Sequence, residues 1–393
     1  MGVRETQMNK PPHVLVYATT RAGGDLNPLV ALCHGLLDVT ATLTVLCDSL
    51  ALPIFQAMGV PAFHAGPEYE VGPAVKEALQ RSAGMPDVER QLAVNEAISH
   101  WLEVLRPHAA GLLEQVRPDI ILTTLFGTCV GWGLHTLSGK PWAALNSTFY
   151  IGPNPPRPLA RDFSVKAADI FTYSVIPYLE ESALVLHATD PQFDYDVRGL
   201  PSNHIYTGPL FWEQPGEVPS YLTEPGDPWV LVTISSLRQD DTAIATTALA
   251  ALSHAHHRVA VTVGRGHEVE EVGLPPANAL VRQYIPHSSV LGEASLMVSH
   301  AGHGSVMKAL RHGVPMLLVP WARDQFGVAA RAESLGVAAV VPKEQLTIHN
   351  VAEAAARVLH DVRYREAAQA AARRMSQDSL LDEAAGAVLE LAS

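Results

Sequence analysis

The chain has 393 residues, 48% of them hydrophobic, more than one core absorbs, so two domains are the starting expectation. Acidic residues outnumber basic ones 40 to 27, and the resulting charge of −13 argues against nucleic acid or an anionic membrane surface as partner. The three cysteines, Cys33, Cys47 and Cys129, form no CxxC pair and are odd in number, which argues against a disulfide framework and against zinc.

From the amino end, MGVRETQMNK lacks the apolar stretch of a secretory signal, so a cytoplasmic location is expected. Short β-rich runs bounded by turn residues then alternate with helical patterns, the signature of parallel α/β layers. In the first half the predicted strands are 13–18, 41–47, 120–124 and 142–146; in the second they are 229–234, 258–263, 296–298 and 316–319. The uncharged run between Asp119 and Lys140 contains four glycines, several threonines and His135, a poor match to a bilayer span, and reads as a buried strand followed by a helix. A stretch rich in proline, aromatics and glycine, from Tyr206 to Pro228, is the linker candidate. The fold class expected is therefore α/β, with two doubly wound parallel-sheet domains facing a central cleft. Residues 1–210 form the amino-terminal domain, 211–225 the linker and 226–375 the carboxyl-terminal domain, with a final helix over 376–393 packing back across the junction. Ligands of open parallel sheets bind beyond the carboxyl ends of the strands, so two facing sheets suit the transfer of a group between two substrates.

The segment Ser299-His300-Ala301-Gly302-His303-Gly304-Ser305 follows a predicted strand and opens a helix. Its first-turn amides, near Gly302, Gly304 and Ser305, have no intrahelical partner and favour an anion such as phosphate; tight packing is the alternative use of the glycines. After the next strand, Asp324 and Gln325 offer acceptor and donor groups suited to sugar hydroxyls. Upstream, Tyr284 in Tyr284-Ile285-Pro286-His287 supplies a ring able to stack on a nucleobase.

In this order, with Gly313-Val314-Pro315 between, these residues resemble the donor-binding signature of nucleotide-sugar-dependent glycosyltransferases of natural products: macrolide, glycopeptide-antibiotic and plant secondary-product enzymes. The resemblance is specific from Tyr284 to Phe326 and collinear elsewhere. It implies the two-domain GT-B fold, an inverting reaction, no cofactor and no obligatory metal, and a UDP- or dTDP-sugar as co-substrate. Carried over, Tyr284 would stack on the base with Ile285 beside it, and His300 with the amides around Gly302, Gly304 and Ser305 would hold the diphosphate. Asp324 and Gln325 would grip the sugar, and Ser236 would contact phosphate. Three positions depart from the pattern: His287 replaces Gln, Ser235 replaces a common Gly, and Lys308 stands where Glu often grips the ribose. Lys308 leans the expectation slightly to a thymidine nucleotide; reaching the diphosphate or turning to solvent are its other readings.

After the first strand comes Thr19-Thr20-Arg21-Ala22-Gly23-Gly24-Asp25-Leu26-Asn27-Pro28. Here Asp25 takes the place of the family's catalytic His, and Thr124 the place of that His's Asp partner. Asp25 is the candidate general base, with a simple N-cap role as its alternative. The aromatic, proline-rich segment 149–178, with Tyr150, Pro153, Pro155, Pro156, Phe163, Phe171 and Tyr173, would wall a small, largely apolar acceptor, as would 66–90; plain loop packing is the other reading. His254, His256 and His257 lie at a helix end and are not read as a metal site, and Trp132 with His135 reads as core. A nucleotide-sugar epimerase and a non-catalytic nucleotide-sugar-binding protein are the competing functions. Neither the acceptor, the sugar nor the oligomeric state is legible.

Overall fold

The computed structural model describes residues 10–20, 24–150, 169–195, 199–216, 218–222, 224–236, 238–254, 256–375 and 380–392. Seven parallel strands form the first sheet: β1 (His13–Ala18), β2 (Thr42–Cys47), β3 (Ala62–His64), β4 (Ile120–Thr124), β5 (Trp142–Asn146), β6 (Leu184–His187) and β7 (His204–Tyr206), in the order β3-β2-β1-β4-β5-β6-β7. The second sheet has six: β8 (Trp229–Thr233), β9 (Arg258–Thr262), β10 (Ala279–Arg282), β11 (Ala294–Ser299), β12 (Met316–Leu318) and β13 (Ala338–Val340), in the order β10-β9-β8-β11-β12-β13. The order reverses between β1 and β4 in one sheet and between β8 and β11 in the other, and each reversal opens a crevice at the strands' carboxyl ends.

Both faces of each sheet are covered, which is why the strands read as nearly continuous apolar runs. Leu15 and Tyr17 of β1 join the core beneath Trp101, Leu105 and Trp142, while Val14, Val16 and Ala18 join Leu29, Leu32 and Leu36 on the opposite face. In the second sheet Trp229 and Leu231 share a core with Met297 and Leu310. On its other face Val230 and Val232 share one with Ala248, Val351, Ala355 and Val358, side chains small enough for close packing of helix on sheet. Helix 348–360 packs on this sheet, helix 362–374 packs against helices 303–311 and 348–360, and the last helix, Leu380–Leu389, returns to the first domain, where Leu381 lies against Gly35 and Ala384, Ala385 and Val388 enter its core.

The cleft between the sheets is tied across at several points. Phe149 and Phe193 of the amino-terminal half are fully buried in the core of the second domain, worth roughly 1.5–3 kcal/mol each. Thr189 Oγ1 lies 2.9 Å from His303 Nε2, Tyr195 Oη donates to the Gly327 carbonyl at 2.8 Å, and Arg374 donates to Asp190 at 2.8 Å. Among the described residues no helix is long and apolar enough to cross a membrane.

Candidate active site

Asp25 stands beyond the carboxyl end of β1, beside the switch point, as the residue preceding the helix Leu26–Asp38. It adopts helical angles (φ −82°, ψ −28°) and its side chain makes no capping bond, which overturns the N-cap reading. Its Oδ1 instead accepts a hydrogen bond from Ser147 Oγ, while Oδ2 is buried without a partner. Burial pushes the carboxyl group up to about 7, against the opposing hydrogen bond from Ser147 and with the help of the nearby charge of Asp324. Thr124, which stands at the position of the family's Asp partner, is fully buried and its Oγ1 bonds to nothing; the hydroxyl that reaches Asp25 is that of Ser147, after β5. The neighbouring Arg21, Ala22 and Gly23 lie outside the described residues.

Across the cleft, Asp324 Oδ2 accepts from Thr148 Oγ1 at 2.9 Å, and burial raises the Asp324 carboxyl group, opposed by that bond and by the Arg323 charge. Gln325 sits in the same loop but points inward. Its Oε1 accepts from the amides of Trp321 (3.0 Å) and Ala322 (2.9 Å), and its Nε2 donates to Gln239 Oε1 at 3.2 Å. Arg323 NH2 donates to the same Gln239 oxygen at 2.7 Å, and Gln239 Nε2 donates to Asp241 at 2.8 Å. Asp241 in turn accepts from the Ser235 amide at 2.9 Å, so one polar network joins the loops after β8 and β12.

At the second switch point the helix His303–Arg311 begins at Gly302, an extended N-cap residue with no capping side chain, so the amides of His303, Gly304 and Ser305 are open to an anion. The chain turns into that helix through Ala301 at φ 66°, a left-handed conformation that costs a non-glycine residue about 1–2 kcal/mol. His300 folds over Gly302: a Cβ built there would meet His300 Nε2 at 2.5 Å, so only glycine fits beneath the ring. Burial lowers the His300 imidazole to about 4, against the raising effects of Asp241 and of a hydrogen bond to the Thr233 backbone, so it is neutral near pH 7. Ser236 is exposed at the end of β8, and its backbone approaches so closely to Gly264 (φ 71°) that a Cβ there would lie 3.1 Å from Ser236 Cα.

Tyr284 is 43% exposed, with its hydroxyl donating to the Gln214 carbonyl at 2.7 Å. Ile285 is 1% exposed within the core, so its side chain is removed from any ligand and only its backbone remains available. Lys308 turns neither to solvent nor toward the helix N-terminus: its Nζ is 2.7 Å from Glu213 of the linker. Glu213 also accepts from the amides of His287 (3.0 Å) and Ser288 (3.1 Å) and from the Ser288 hydroxyl. Burial raises the Glu213 carboxyl group, but Lys308 and Ser288 outweigh it and hold it at about 2.

Of the expected acceptor wall, Pro153, Pro155, Pro156 and Phe163 lie outside the described residues, and Tyr150, Phe171 and Tyr173 are buried in packing. Tyr150 covers the His187 and His204 rings, and Phe171 meets the half-exposed Phe126 edge-on at 5.6 Å. Among the described residues no group of three or more His, Cys, Asp or Glu could hold a metal ion. Sequence reasoning passed over Ser147, Thr148, Glu213 and Gln239. The first two carried a signal, adjacent hydroxyls directly after a predicted strand; Glu213 and Gln239 carried none.

Residues 246–391 match the family model described as erythromycin biosynthesis protein CIII-like, C-terminal domain. The chain is 30% identical over 204 residues to 4'-demethylrebeccamycin synthase from Lentzea aerocolonigenes, an alignment covering 51% of this chain and 48% of that relative, so it spans about half that protein's length. Its fold is that of the calicheamicin glycosyltransferase CalG4, with a TM-score of 0.75 at 20% identity over 97% of this chain and 98% of the other. The glycosyltransferase VinC, solved in complex with dTDP, is similar with a TM-score of 0.71 at 18% identity over 97% and 99% of the two chains. Together with the two facing parallel sheets, these likenesses show the GT-B fold and agree with the resemblance to natural-product glycosyltransferases read from the signature.

Proposed function

We propose that the protein transfers a sugar, with inversion, from a nucleoside diphosphate donor to a hydroxyl of a small, largely apolar acceptor, with Asp25 as general base. One observation carries this reading: a buried carboxylate at the first switch point, with one oxygen held by Ser147, the other unpartnered, and a pKa raised to about 7. An ordinary aspartate, with a pKa of about 3.9, is a poor proton acceptor for an alcohol, whereas a base near 7 is substantially ionised at neutral pH and far better matched.

The acceptor oxygen attacks the anomeric carbon as its bond to the diphosphate oxygen breaks; the acceptor proton goes to Asp25 Oδ2, and the bonding electrons leave with the diphosphate. The open amides of His303, Gly304 and Ser305 receive that charge, and the otherwise neutral His300 is driven toward its charged form by the arriving anion. Ser236 would add a phosphate contact and Tyr284 would stack on the base. Asp324 would take the sugar hydroxyls, with Gln325 holding the loop that presents it.

A dTDP-linked donor is favoured over a UDP-linked one. Lys308 has no acceptor lone pair, and the nearby Glu213 already accepts from Lys308, two amides and a hydroxyl, so no free carboxylate remains for a 2′-hydroxyl. Neither a cofactor nor an obligatory metal is part of the reading. The test is a matrix of dTDP- and UDP-sugars against hydroxylated apolar acceptors, read by mass spectrometry. A hexose-type mass increment on an acceptor supports the proposal, and donor binding with no turnover across the panel overturns it.

A further inference from the structure

The carboxyl end of β5 carries three consecutive polar residues. Ser147 donates to Asp25 of its own domain, and Thr148 donates to Asp324 of the opposite one. Asn146, 1% exposed, is tied to the loop that presents both hydroxyls: its Oδ1 accepts from the Thr148 amide at 3.1 Å and its Nδ2 donates to the Phe149 carbonyl at 2.8 Å. The second Nδ2 hydrogen faces His187 Nδ1 at 3.0 Å, and His187 Nε2 lies 3.0 Å from His204 Nδ1.

This chain of bonds has one consistent reading. An amide nitrogen only donates, so His187 Nδ1 must accept; its hydrogen therefore sits on Nε2 and is given to His204. Burial lowers the two imidazoles to about 3 and about 4, so neither is charged near neutral pH and the pattern does not alternate. Both ends of the Asn146 amide are fixed, and with them the direction in which Ser147 leaves the strand.

We propose that Asn146 and Ser147 are positioning residues of the transfer: the Asn146 amide, locked by the His187–His204 pair, sets the Ser147 hydroxyl on Asp25 Oδ1, leaving only Oδ2 to take the acceptor's proton. This rests on Asp25 being the base. The hydrogen bond also favours the ionised carboxylate, against burial and the charge of Asp324. The other ionisable neighbours are Arg323, beside Asp324, and His303, which bonds the Ser147 backbone and is neutral.

The test compares Ser147→Ala, Ser147→Thr and Asn146→Ala with the unaltered chain for kcat, acceptor KM, nucleoside diphosphate Kd and the pH dependence of kcat/KM. Losing a hydrogen bond to a charged group should move the acidic limb of the profile upward by about one to two pH units. In Ser147→Ala, kcat should fall about tenfold at neutral pH, with diphosphate affinity within about twofold of normal, the loss following from the smaller ionised fraction. Ser147→Thr should restore limb and rate, and Asn146→Ala should reproduce the shift. Ser147→Ala removes a single hydroxyl and keeps the test open should Asn146→Ala fail to fold. An unmoved limb and a normal kcat in folded Ser147→Ala overturn the inference. Asp25→Asn in the same assay separates the two readings: if it retains turnover, the base assignment falls; if it abolishes turnover while Ser147→Ala changes nothing, only the positioning role falls.

Discussion

Replacing Asp25 by Asn should have opposite effects on activity and on stability, and the size of each follows from the same burial. The carboxyl group rises from 3.8 to about 7 in the folded protein, so folding holds its proton more tightly than the unfolded chain does. Its contribution to stability is therefore fully present below about pH 3.8, shrinks as pH rises, and is lost by about pH 7, a total of about 4 kcal/mol. Roughly 3 kcal/mol of that loss falls between about pH 5 and pH 8. An amide cannot ionise and escapes it, although its NH2 would occupy the place of an oxygen that has no partner, at a cost of about 1–3 kcal/mol at every pH. The difference in Tm between Asp25→Asn and the unaltered protein should thus move in the variant's favour by about 5–10 °C from pH 5 to pH 8, if the amino-terminal domain melts as a unit. Turnover should fall by about 10² to 10⁴, the contribution of a positioned base, while nucleoside diphosphate binding persists. The assays are scanning fluorimetry across the pH range and product formation by mass spectrometry. A Tm difference that does not change with pH would refute the raised pKa, and near-normal turnover in the folded variant would refute the role as base.

Asp324→Ala should weaken the intact donor more than the free nucleoside diphosphate in calorimetric titrations, because its proposed partners are sugar hydroxyls. Gln325→Ala should instead lower Tm and weaken both ligands alike, since it strips the acceptor from two loop amides; a donor-only loss at normal Tm would contradict its structural role. Lys308→Glu should not create a ribose grip but set a carboxylate against Glu213, costing about 3–5 kcal/mol as expected for breaking a largely buried pair. The exchange Glu213→Lys with Lys308→Glu should recover part of that Tm, and no recovery would contradict the pairing.

The strands that frame the site were legible because they are mostly apolar runs bounded by turn residues: 13–18, 120–124 and 142–146 match to the residue, and the others differ by one or two positions at their ends. The short strands β3, β6, β7, β10 and β13 were missed. They have three or four residues, too few for a period to declare itself, and owe their conformation to the neighbour they pair with. Asp25, His300 and Asp324 could be found because each follows a readable strand. Which residues they pair with could not be read, since Ser147 is 122 positions from Asp25 and Thr148 is 176 from Asp324, and local pattern, which marked only the two adjacent hydroxyls, carries no information on such pairings. Counting along the chain placed Thr124 at the position of the family's Asp partner, and the hydroxyl that meets Asp25 comes from the loop after β5, not from the end of β4.

Asp25 and Asp324 share a geometry that explains why one loop can serve both. Each immediately precedes a helix, each has helical rather than extended angles, and neither caps the helix it introduces, forgoing about 1 kcal/mol apiece. Their carboxylates face the cleft instead, where consecutive hydroxyls of β5's loop meet them. The left-handed residues of the backbone fit the same account. Arg117 at φ 48° ends the helix Asp87–Val116, an ordinary use of that conformation, and Thr40 follows the end of the helix Leu26–Asp38. Asp240, Ala301 and Arg323 are also left-handed, yet each precedes a helix and terminates none. Such positions cost about 1–3 kcal/mol and persist where surrounding structure enforces them. Ala301 aims the open amides of the next helix into the cleft, and Arg323 turns the chain so that Asp324 reaches Thr148. Both departures from local preference act on the same small volume between the sheets, where the proposed donor and acceptor would meet.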